Sequence, residues 1–316
     1  MSRRADPPDH AGLPVVPGAP DGSSWGVWGA DDVHGALNRL SPDAVLGGVA
    51  EVRRGLVFPL DVPLSEFSPP LFSRAAVEHR VLGDDNSLGR DDLISNWNTQ
   101  ASSQWDGFRH VRDPEHGYYN GLPGDRHEIA AWARRGLAGR ALLLDVPRSR
   151  ERAGLPWDAG AATPIDVDEL QRVVLSQGTP PRAGDVLLVR TGWLAHYRGL
   201  DEPGRRAAAE RKSLRAPGLL ADRSVAEWLW DHRIAAVAAD NPSLETYPLG
   251  TGAAPGEPIL HVRLLARLGI PIGELWDLEA LAADCAAERT YCSLLVSAPL
   301  ALAGGCGSPA NAVALR

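Results

Sequence analysis

The chain has 316 residues, 44% of them hydrophobic and 23% charged, a composition typical of a soluble globular protein. A formal net charge of −8 without a basic stripe argues against a nucleic-acid partner. The apolar stretch 294–303 is interrupted by Ser297 and Pro299 and is too short to cross a bilayer. The three cysteines show no CxxC spacing, which indicates buried, reduced thiols. We therefore expect a cytoplasmic protein with no membrane partner.

The first half of the chain predicts an irregular start followed by order. Residues 1–24 are rich in Pro, Gly and Asp and predict a flexible N-terminal arm, with a single domain over residues 25–316. Ser41 and Pro42 indicate a helix start, as N-cap and first helical residue. A period-two apolar pattern predicts a strand over 55–64, and the polar segment 65–98 predicts a loop with short strands.

The second half alternates helical and strand-like patterns. Amphipathic spacing predicts helices over residues 128–136, 166–177, 224–233 and 261–268. Apolar runs predict strands over residues 141–146, 185–191, 234–239, 293–300 and 311–315. This alternation indicates an α/β domain. Because the N-terminal third is less regular, the pattern does not favour a strict doubly wound sheet.

The densest group of polar side chains lies between Asn98 and His110. Gln100, Gln104, Asp106 and His110 follow one another at intervals of four, two and four residues. Taken singly, each has an ordinary structural interpretation. Glutamines are common hydrogen-bonding spacers on strands, Asp before Gly is a turn signal, and an isolated histidine is more often structural than catalytic.

This segment resembles the motif His-x-Gly-Thr-His-x-Asp-x-Pro-x-His, a set of metal ligands in the cyclase family that includes bacterial kynurenine formamidases and isatin hydrolases. Further segments resemble that family in the same order along the chain: 28–32, 36–38, 119–121, 139–146, 184–193, 240–243, His261 with Glu274, and 307–309. The chain is identified as a member from about Trp25 to its end. It resembles a longer-chain subgroup, with glutamine in place of the two leading histidines.

The resemblance implies a swivelling β/β/α fold with a mixed sheet and a barrel-like core, assembled as a homodimer or homotetramer. It also implies roles for the site residues. Asp106 and Glu274 would be bridging carboxylates, His261 a second metal ligand and His110 the proton shuttle. Gln100 and Gln104 would occupy the positions of the first-site imidazoles. The catalytic residues implied are His110, Asp106 and Glu274.

The two glutamines leave open which metal ion the site binds, and whether it binds one. A divalent cation lowers the pKa of water toward neutrality, which suits hydrolysis of an amide. A neutral amide oxygen is a poorer zinc ligand than imidazole and suits Mn²⁺ or Mg²⁺ better. Three routes follow: a single ion on Asp106, His261 and Glu274 with a glutamine assisting, a harder ion in place of zinc, or no metal and acid–base chemistry alone.

These routes predict an enzyme acting on a small organic substrate. The first interpretation is metal-assisted hydrolysis of an amide, lactam or related carbonyl compound. The alternative is a metal-independent cyclase, dehydratase or isomerase of a biosynthetic, secondary-metabolic pathway, in which a carboxylate pair without its cation raises one pKa. A third interpretation is a non-catalytic ligand-binding relic. The retention of Asp106, His110, His261 and Glu274 argues against it.

Aromatic side chains around the motif predict a substrate pocket. Trp105, Phe108 and Tyr119 would form its wall, or would be ordinary core aromatics. Arg109 would bind a substrate carboxylate bidentately, or face solvent. His116 and His127 are two further histidines near the motif that would replace the lost imidazoles, although their spacing does not require it.

Overall fold

The computed structural model describes residues 7–316. Its strands, in chain order β1 to β13, are Val57–Pro59, Glu78–Leu82, Asp91–Ser95, Gln104–Asp106, Leu137–Asp145, Pro164–Ile165, Val186–Arg190, Gly218–Leu219, Ala236–Ala239, Ile272–Glu274, Cys292–Ser297, Gly307–Pro309 and Ala312–Leu315. Its α-helices, α1 to α8, are Pro42–Val49, Ala130–Arg135, Val146–Arg152, Val167–Gln177, Trp193–Gly199, Glu202–Ala209, Arg223–Asp231 and Glu279–Glu288. A π-helix covers Val262–Leu268.

The main sheet has nine strands in the order β1-β13-β11-β5-β7-β9-β10-β4-β12. The four strands from β5 to β10 in this order are parallel to one another, and the remaining pairs are antiparallel. The sheet curls into a half-barrel. These findings confirm the predicted α/β class with a mixed sheet and a barrel-like core.

The central strands are buried along their length. Residues 141–145 of β5, 186–189 of β7 and all of β9 are at most 1% exposed. Strands covered on both faces read as continuous apolar runs, which is why these segments were recognisable from the sequence. The hydrophobic core therefore lies at the middle of the sheet, whereas the polar segment 98–110 lies near one end of the strand order.

Several predicted helix boundaries are confirmed by their capping residues. Ser41 accepts a hydrogen bond from the Ala44 N–H at the start of α1, and Asp166 does the same for the Glu169 N–H at the start of α4. The segment predicted as a helix over 261–268 is a π-helix that ends at Gly269, whose φ of 59° is left-handed.

Other boundaries differ from the prediction. The strand expected to end at Val146 begins earlier, at Leu137, and ends at Asp145. Val146 instead opens α3, because the Asp145 side chain caps the Arg148 N–H and Pro147 lies in the first turn. Helices α3, α5, α6 and α8 were not predicted. The first three are at most eight residues long and are too short for a clear period.

Two peripheral features complete the fold. Residues 8–10 contact α7, where the Trp230 indole donates to the Pro8 carbonyl at 3.0 Å and the His10 N–H donates to Asp231 at 2.6 Å. Residues 1–6 of the predicted arm lie outside the described residues, and the boundary after residue 24 stays a prediction.

Strands β2 and β3 form a separate exposed hairpin. Among residues 7–316, no helix combines the length and apolar content needed to span a membrane.

The three cysteines are free, which agrees with the predicted reduced thiols, but the prediction that all three are buried is wrong for one of them. Cys285 and Cys292 are buried, whereas Cys306 is exposed.

Candidate active site

Two neighbouring antiparallel strands carry the carboxylates of the site. Asp106 ends β4 and Glu274 ends β10, and the pairing register sets Gln104 opposite Glu274. Because side chains alternate along a strand, Gln104 and Asp106 share one face of β4 and Trp105 points to the other. Asp106 and Gln104 are fully buried, and Glu274 is 3% exposed.

Bulky residues in left-handed backbone conformations flank the site carboxylates. Leu275 follows Glu274 with φ 59°, and Leu244 precedes Glu245 with φ 50°. Left-handed φ is uncommon for non-glycine residues and costs free energy, so the surrounding structure must hold it. Part of that support comes from the Leu275 N–H, which donates to the Asn241 carbonyl at 3.0 Å. The two turns orient Glu274 and Glu245 toward the same space.

His261 connects three carboxylates at the start of the π-helix. Its Nδ1 atom lies 2.6 Å from Glu245 Oε1, and its Nε2 atom lies 3.1 Å from Glu274 Oε1 and 3.7 Å from Asp106 Oδ2. Burial works to lower the pKa of His261, but the carboxylates of Asp106, Glu245 and Glu274 outweigh it and raise that pKa well above its ordinary value. Glu245 also accepts the backbone N–H groups of Leu260 and His261.

The two glutamines act as hydrogen-bond donors to the carboxylates. Gln100 Nε2 donates to Asp106 Oδ1, and Gln104 Nε2 donates to Glu274 Oε2. Gln100 Nε2 also lies 3.0 Å from His110 Nδ1. An amide nitrogen only donates, so His110 Nδ1 must accept and the neutral ring carries its proton on Nε2. Gln100 therefore sets the tautomer of His110.

His110 is the most accessible member of the cluster. Its side chain is 31% exposed, and its Nε2 atom lies 3.9 Å from Asp106 Oδ1. Burial lowers the pKa of His110, an effect that the Asp106 charge opposes and that the His261 and Arg74 charges reinforce. The ring is therefore neutral near pH 7, and its Nε2–H group lies on the side of the ring nearest Asp106.

The two site carboxyls differ in acidity. Burial and the neighbouring Asp106 charge raise the pKa of Glu274 to about 7. Burial would also raise the pKa of Asp106, but the charges of His110 and His261, with the hydrogen bonds to this carboxylate, lower it. Two carboxyls with pKa values driven apart are typical of acid–base pairs.

The cluster also fits one divalent cation. One ligand atom each from Asp106, His261 and Glu274 lies within 4.8 Å of the others. Asp106 Oδ2 and Gln104 Oε1 are buried and accept no hydrogen bond from the described residues. This donor set of several oxygens and one imidazole suits Mn²⁺ or Mg²⁺ better than zinc. The contact of His261 Nδ1 with Glu245 is the carboxylate–histidine arrangement that orients metal ligands.

The structure thus brings together Gln100, Gln104, Asp106, His110, His261 and Glu274, which are the predicted catalytic and metal-ligating residues. The predicted substrate-binding residues lie elsewhere. The Trp105 indole donates to Ser297 Oγ at 2.9 Å and packs against Trp276 in the core. Arg109 donates to the Gly304 carbonyl at the surface. Neither placement favours a substrate contact.

Phe108 and Tyr119 belong to a buried aromatic group of the hydrophobic core. Their rings lie 5.0 Å apart, and Phe108 also packs against Trp132. His127 belongs to this group and interacts with the Tyr119 carbonyl at 2.8 Å, whereas His116 pairs with Asp113. The four residues lie outside the cluster, so neither histidine replaces a lost imidazole there.

Sequence reasoning missed Glu245 and Arg74. Glu245 closely follows the family-like turn at 240–243, but no spacing rule connects it to His261. Arg74 lies in a loop without periodic signal, and its guanidinium interacts electrostatically with Glu274, Asp106 and His110. Only the folded chain brings these groups together.

A family model described as "Putative cyclase" matches residues 58–246. The chain belongs to this cyclase family. A crystal structure described as that of a novel cyclase is 28% identical, with a TM-score of 0.78, over 93% of this chain and 99% of that one. Membership of the cyclase family supports an enzyme of the hydrolase or cyclase type. A search of curated proteins gave no match.

The cyclase fold extends to more distant structures. An isatin hydrolase bound to the product analogue thioisatinate is 19% identical, with a TM-score of 0.57, over 87% of this chain and 99% of that one. Isatin hydrolase A from Ralstonia solanacearum is 17% identical, with a TM-score of 0.59, over 87% of this chain and 97% of that one. At this identity the likeness concerns the fold.

Proposed function

We propose that this cyclase-family protein hydrolyses an amide, lactam or related carbonyl group of a small organic substrate, assisted by one divalent cation. The observation that supports the proposal is the convergence of Asp106, His261 and Glu274 within 4.8 Å, with His110 beside them at the open side. The names of the isatin hydrolases of similar fold indicate that they hydrolyse a compound of this kind.

The chain's own residues divide the work. Asp106, His261 and Glu274 would hold the cation, with Gln104 Oε1 as an additional donor, and Glu245 orients His261. A cation bound there lowers the pKa of water and polarises a carbonyl oxygen. His110 would offer its Nε2–H to the reacting group, and Gln100 holds this tautomer.

Metal content and turnover test this proposal together. Protein stripped with a chelator is titrated with Mn²⁺, Mg²⁺ and Zn²⁺, and the bound ion is counted for each chain. Turnover is measured on a panel of amides and lactams that includes isatin. We expect one ion for each chain, activity that depends on it, and loss of both in His261→Ala. His116→Ala is the control and should behave as wild type, because the His116 ring pairs with Asp113 outside the cluster.

One observation favours the alternative, a metal-independent cyclase, dehydratase or isomerase. Both site carboxylates already receive amide N–H donors, and the pKa of Glu274 lies at about 7. A carboxyl poised near neutral pH beside an ionised one can exchange protons with a substrate unaided. Full turnover in the chelated protein would contradict assistance by a cation and support this second function.

We also propose a homodimer or homotetramer, as the family resemblance implies. The β2–β3 hairpin supports a contact between copies because it exposes apolar side chains: Val81, Leu82, Leu88, Leu93 and Ile94. Light scattering of the purified protein should give at least twice the monomer mass. Val81→Asp combined with Ile94→Asp should shift the mass toward the monomer if the hairpin forms the contact.

A further inference from the structure

Arg74 lies at the edge of the site, beside the residues described above. Its Nη1 atom donates to the backbone carbonyl of Gln100, whose side chain binds Asp106. Burial lowers the pKa of Arg74, and the nearby charges of Glu274 and Asp106 oppose that shift only in part. The guanidinium therefore faces the cluster in a partly desolvated setting.

This guanidinium has no direct anionic partner in the part of the chain that the structure describes. Within residues 7–316, no carboxylate oxygen lies within 4.0 Å of an Arg74 nitrogen, the distance limit for an ion pair. An arginine offers five N–H donors, and a partly buried charge is stabilised only when such donors are paired. Among residues 7–316, the guanidinium forms only the Nη1 bond to the Gln100 carbonyl. The remaining donors are free to bind an anion.

Packing and backbone geometry fix where the Arg74 side chain points. Phe72 and Ser73, just before it, both have a φ of 59°, an unusual pair of left-handed residues that turns the chain. The guanidinium lies over the Phe72 ring at 5.1 Å, and Arg211 lies over the same ring at 5.2 Å. Tyr247 packs against Phe72 at 5.6 Å. This support keeps Arg74 oriented before any ligand arrives.

We propose that Arg74 binds a carboxylate of the substrate, which makes the substrate a small organic acid whose carboxylate lies a few atoms from the reacting carbonyl. A guanidinium can bind a carboxylate through two parallel hydrogen bonds, which fixes orientation as well as position. A substrate held in this way would place its reacting group between His110 and the Asp106–Glu274 pair. This inference rests on the proposed function and specifies its substrate class.

A small, mainly apolar cavity adjoins the same segments. It has a volume of about 120 Å³, and its lining includes Ala75, which follows Arg74, and Ala101, which follows Gln100. Its apolar wall comes from Leu64, Phe67, Pro70, Val77 and Trp97. A cavity of roughly this size accommodates one benzene ring. Benzoate, an aromatic ring with a carboxylate, is therefore a suitable probe.

Calorimetric titration of the full-length protein with benzoate, and with the neutral analogue benzamide, tests the inference. We expect wild type to bind benzoate at least about tenfold more tightly than benzamide, since a charge-assisted hydrogen bond is worth that factor or more. Arg74→Met should remove this preference. Arg211→Met, which removes the other guanidinium over Phe72, should retain it. Arg74→Lys keeps the positive charge but lacks the forked guanidinium, so its preference for benzoate should fall by a smaller factor than that of Arg74→Met.

The titrations are run with chelator present, and circular dichroism checks that each variant is folded. Chelation excludes a carboxylate bound to a metal ion, and binding is measured without turnover. A failure here is therefore distinct from a failure of the proposed hydrolysis. Equal benzoate affinity in wild type and Arg74→Met would overturn the inference. So would the absence of saturable benzoate binding to wild type.

Discussion

Gln104 and Glu274 are direct partners across the antiparallel β4–β10 pair, and the Gln104 amide nitrogen donates to the Glu274 carboxylate. The family motif that the segment resembles has a histidine at position 104. An amide there gives Glu274 a neutral hydrogen-bond donor, and it leaves one amide oxygen, Gln104 Oε1, without a donor among the described residues. The exchange therefore preserves a polar contact while weakening the site for zinc.

Replacing Gln104 with glutamate should make the site depend on a cation. Gln104→Glu would set two buried carboxylates opposite each other, and we expect a loss of about 2–4 kcal/mol in the free energy of unfolding at pH 8 with chelator. Saturating Mn²⁺ should recover most of it. Urea unfolding with and without the ion measures both effects. Gln104→Met is the control, since it loses the hydrogen bond but gains no charge; Mn²⁺ rescue that is equal in both variants would contradict the prediction.

Glu245 should act through His261. Glu245→Gln keeps the shape of the side chain but removes the charge that faces His261 Nδ1 at 2.6 Å. We expect the pKa of His261 to fall, because Glu245 is one of the groups that raise it, and turnover to fall by about 10–100-fold. NMR titration of the His261 ring provides the first readout. Unchanged titration in the variant would show that Glu245 is only structural.

The acid side of the pH–rate profile should report His110. Burial lowers the pKa of His110 below its ordinary 6.5, so the neutral ring persists to mildly acidic pH. If the neutral ring is the working form, kcat/KM is retained at neutral pH and falls as the pH drops through that lowered pKa. His110→Asn should reduce kcat/KM by about 10²–10⁴-fold and remove this limb. A limb that survives the substitution would assign it to another group.

The alkaline side of the same profile separates the two proposed functions. Without a cation, the pKa of Glu274 is about 7, so a mechanism that needs the protonated carboxyl loses activity above that pH. A bound cation favours the ionised carboxylate and abolishes this limb. The profile is measured with chelator and with Mn²⁺. A limb near pH 7 that is the same in both conditions would contradict cation binding at Glu274.

A buried ion pair away from the site should make a large, pH-dependent contribution to the free energy of unfolding. Arg140 Nη1 lies 2.9 and 2.7 Å from the two oxygens of Asp185. Arg140→Met leaves that carboxylate buried without its partner and should cost about 3–5 kcal/mol at pH 7. Burial already raises the pKa of Asp185, and removing Arg140 raises it further. The penalty is therefore small below the unfolded-state pKa and grows as the pH rises.

Urea unfolding at pH 5 and pH 8 measures this trend. Arg223→Met is the matched control because its ion pair with Glu227 is largely exposed, with 63% of the arginine side chain accessible. A surface pair of this kind should cost less than about 1 kcal/mol at either pH. Equal effects in the two variants would show that burial does not control the Arg140 contribution.

The sequence alone determined those features that depend on near neighbours. Continuous apolar runs identified the central strands, the Ser41–Pro42 signal identified one helix start, and amphipathic spacing identified the helix that Asp166 caps. The spacing of Gln100, Gln104, Asp106 and His110 was visible because local spacing is preserved in a motif. Prediction from the sequence failed where the elements were short, as in α5 and α6, because a helix of two turns has too few residues to show a period.

Only the tertiary structure decided which of these side chains meet. Gln104 and Glu274 are 170 residues apart in the chain, and the β4–β10 register alone makes them neighbours. The same alternation turned Trp105 into the core, although it adjoins two site residues. Arg74 and Glu245 reached the cluster from loops and turns. Strand pairing and loop closure are long-range and carry no local sequence period, so the site's full composition became apparent only in the folded chain.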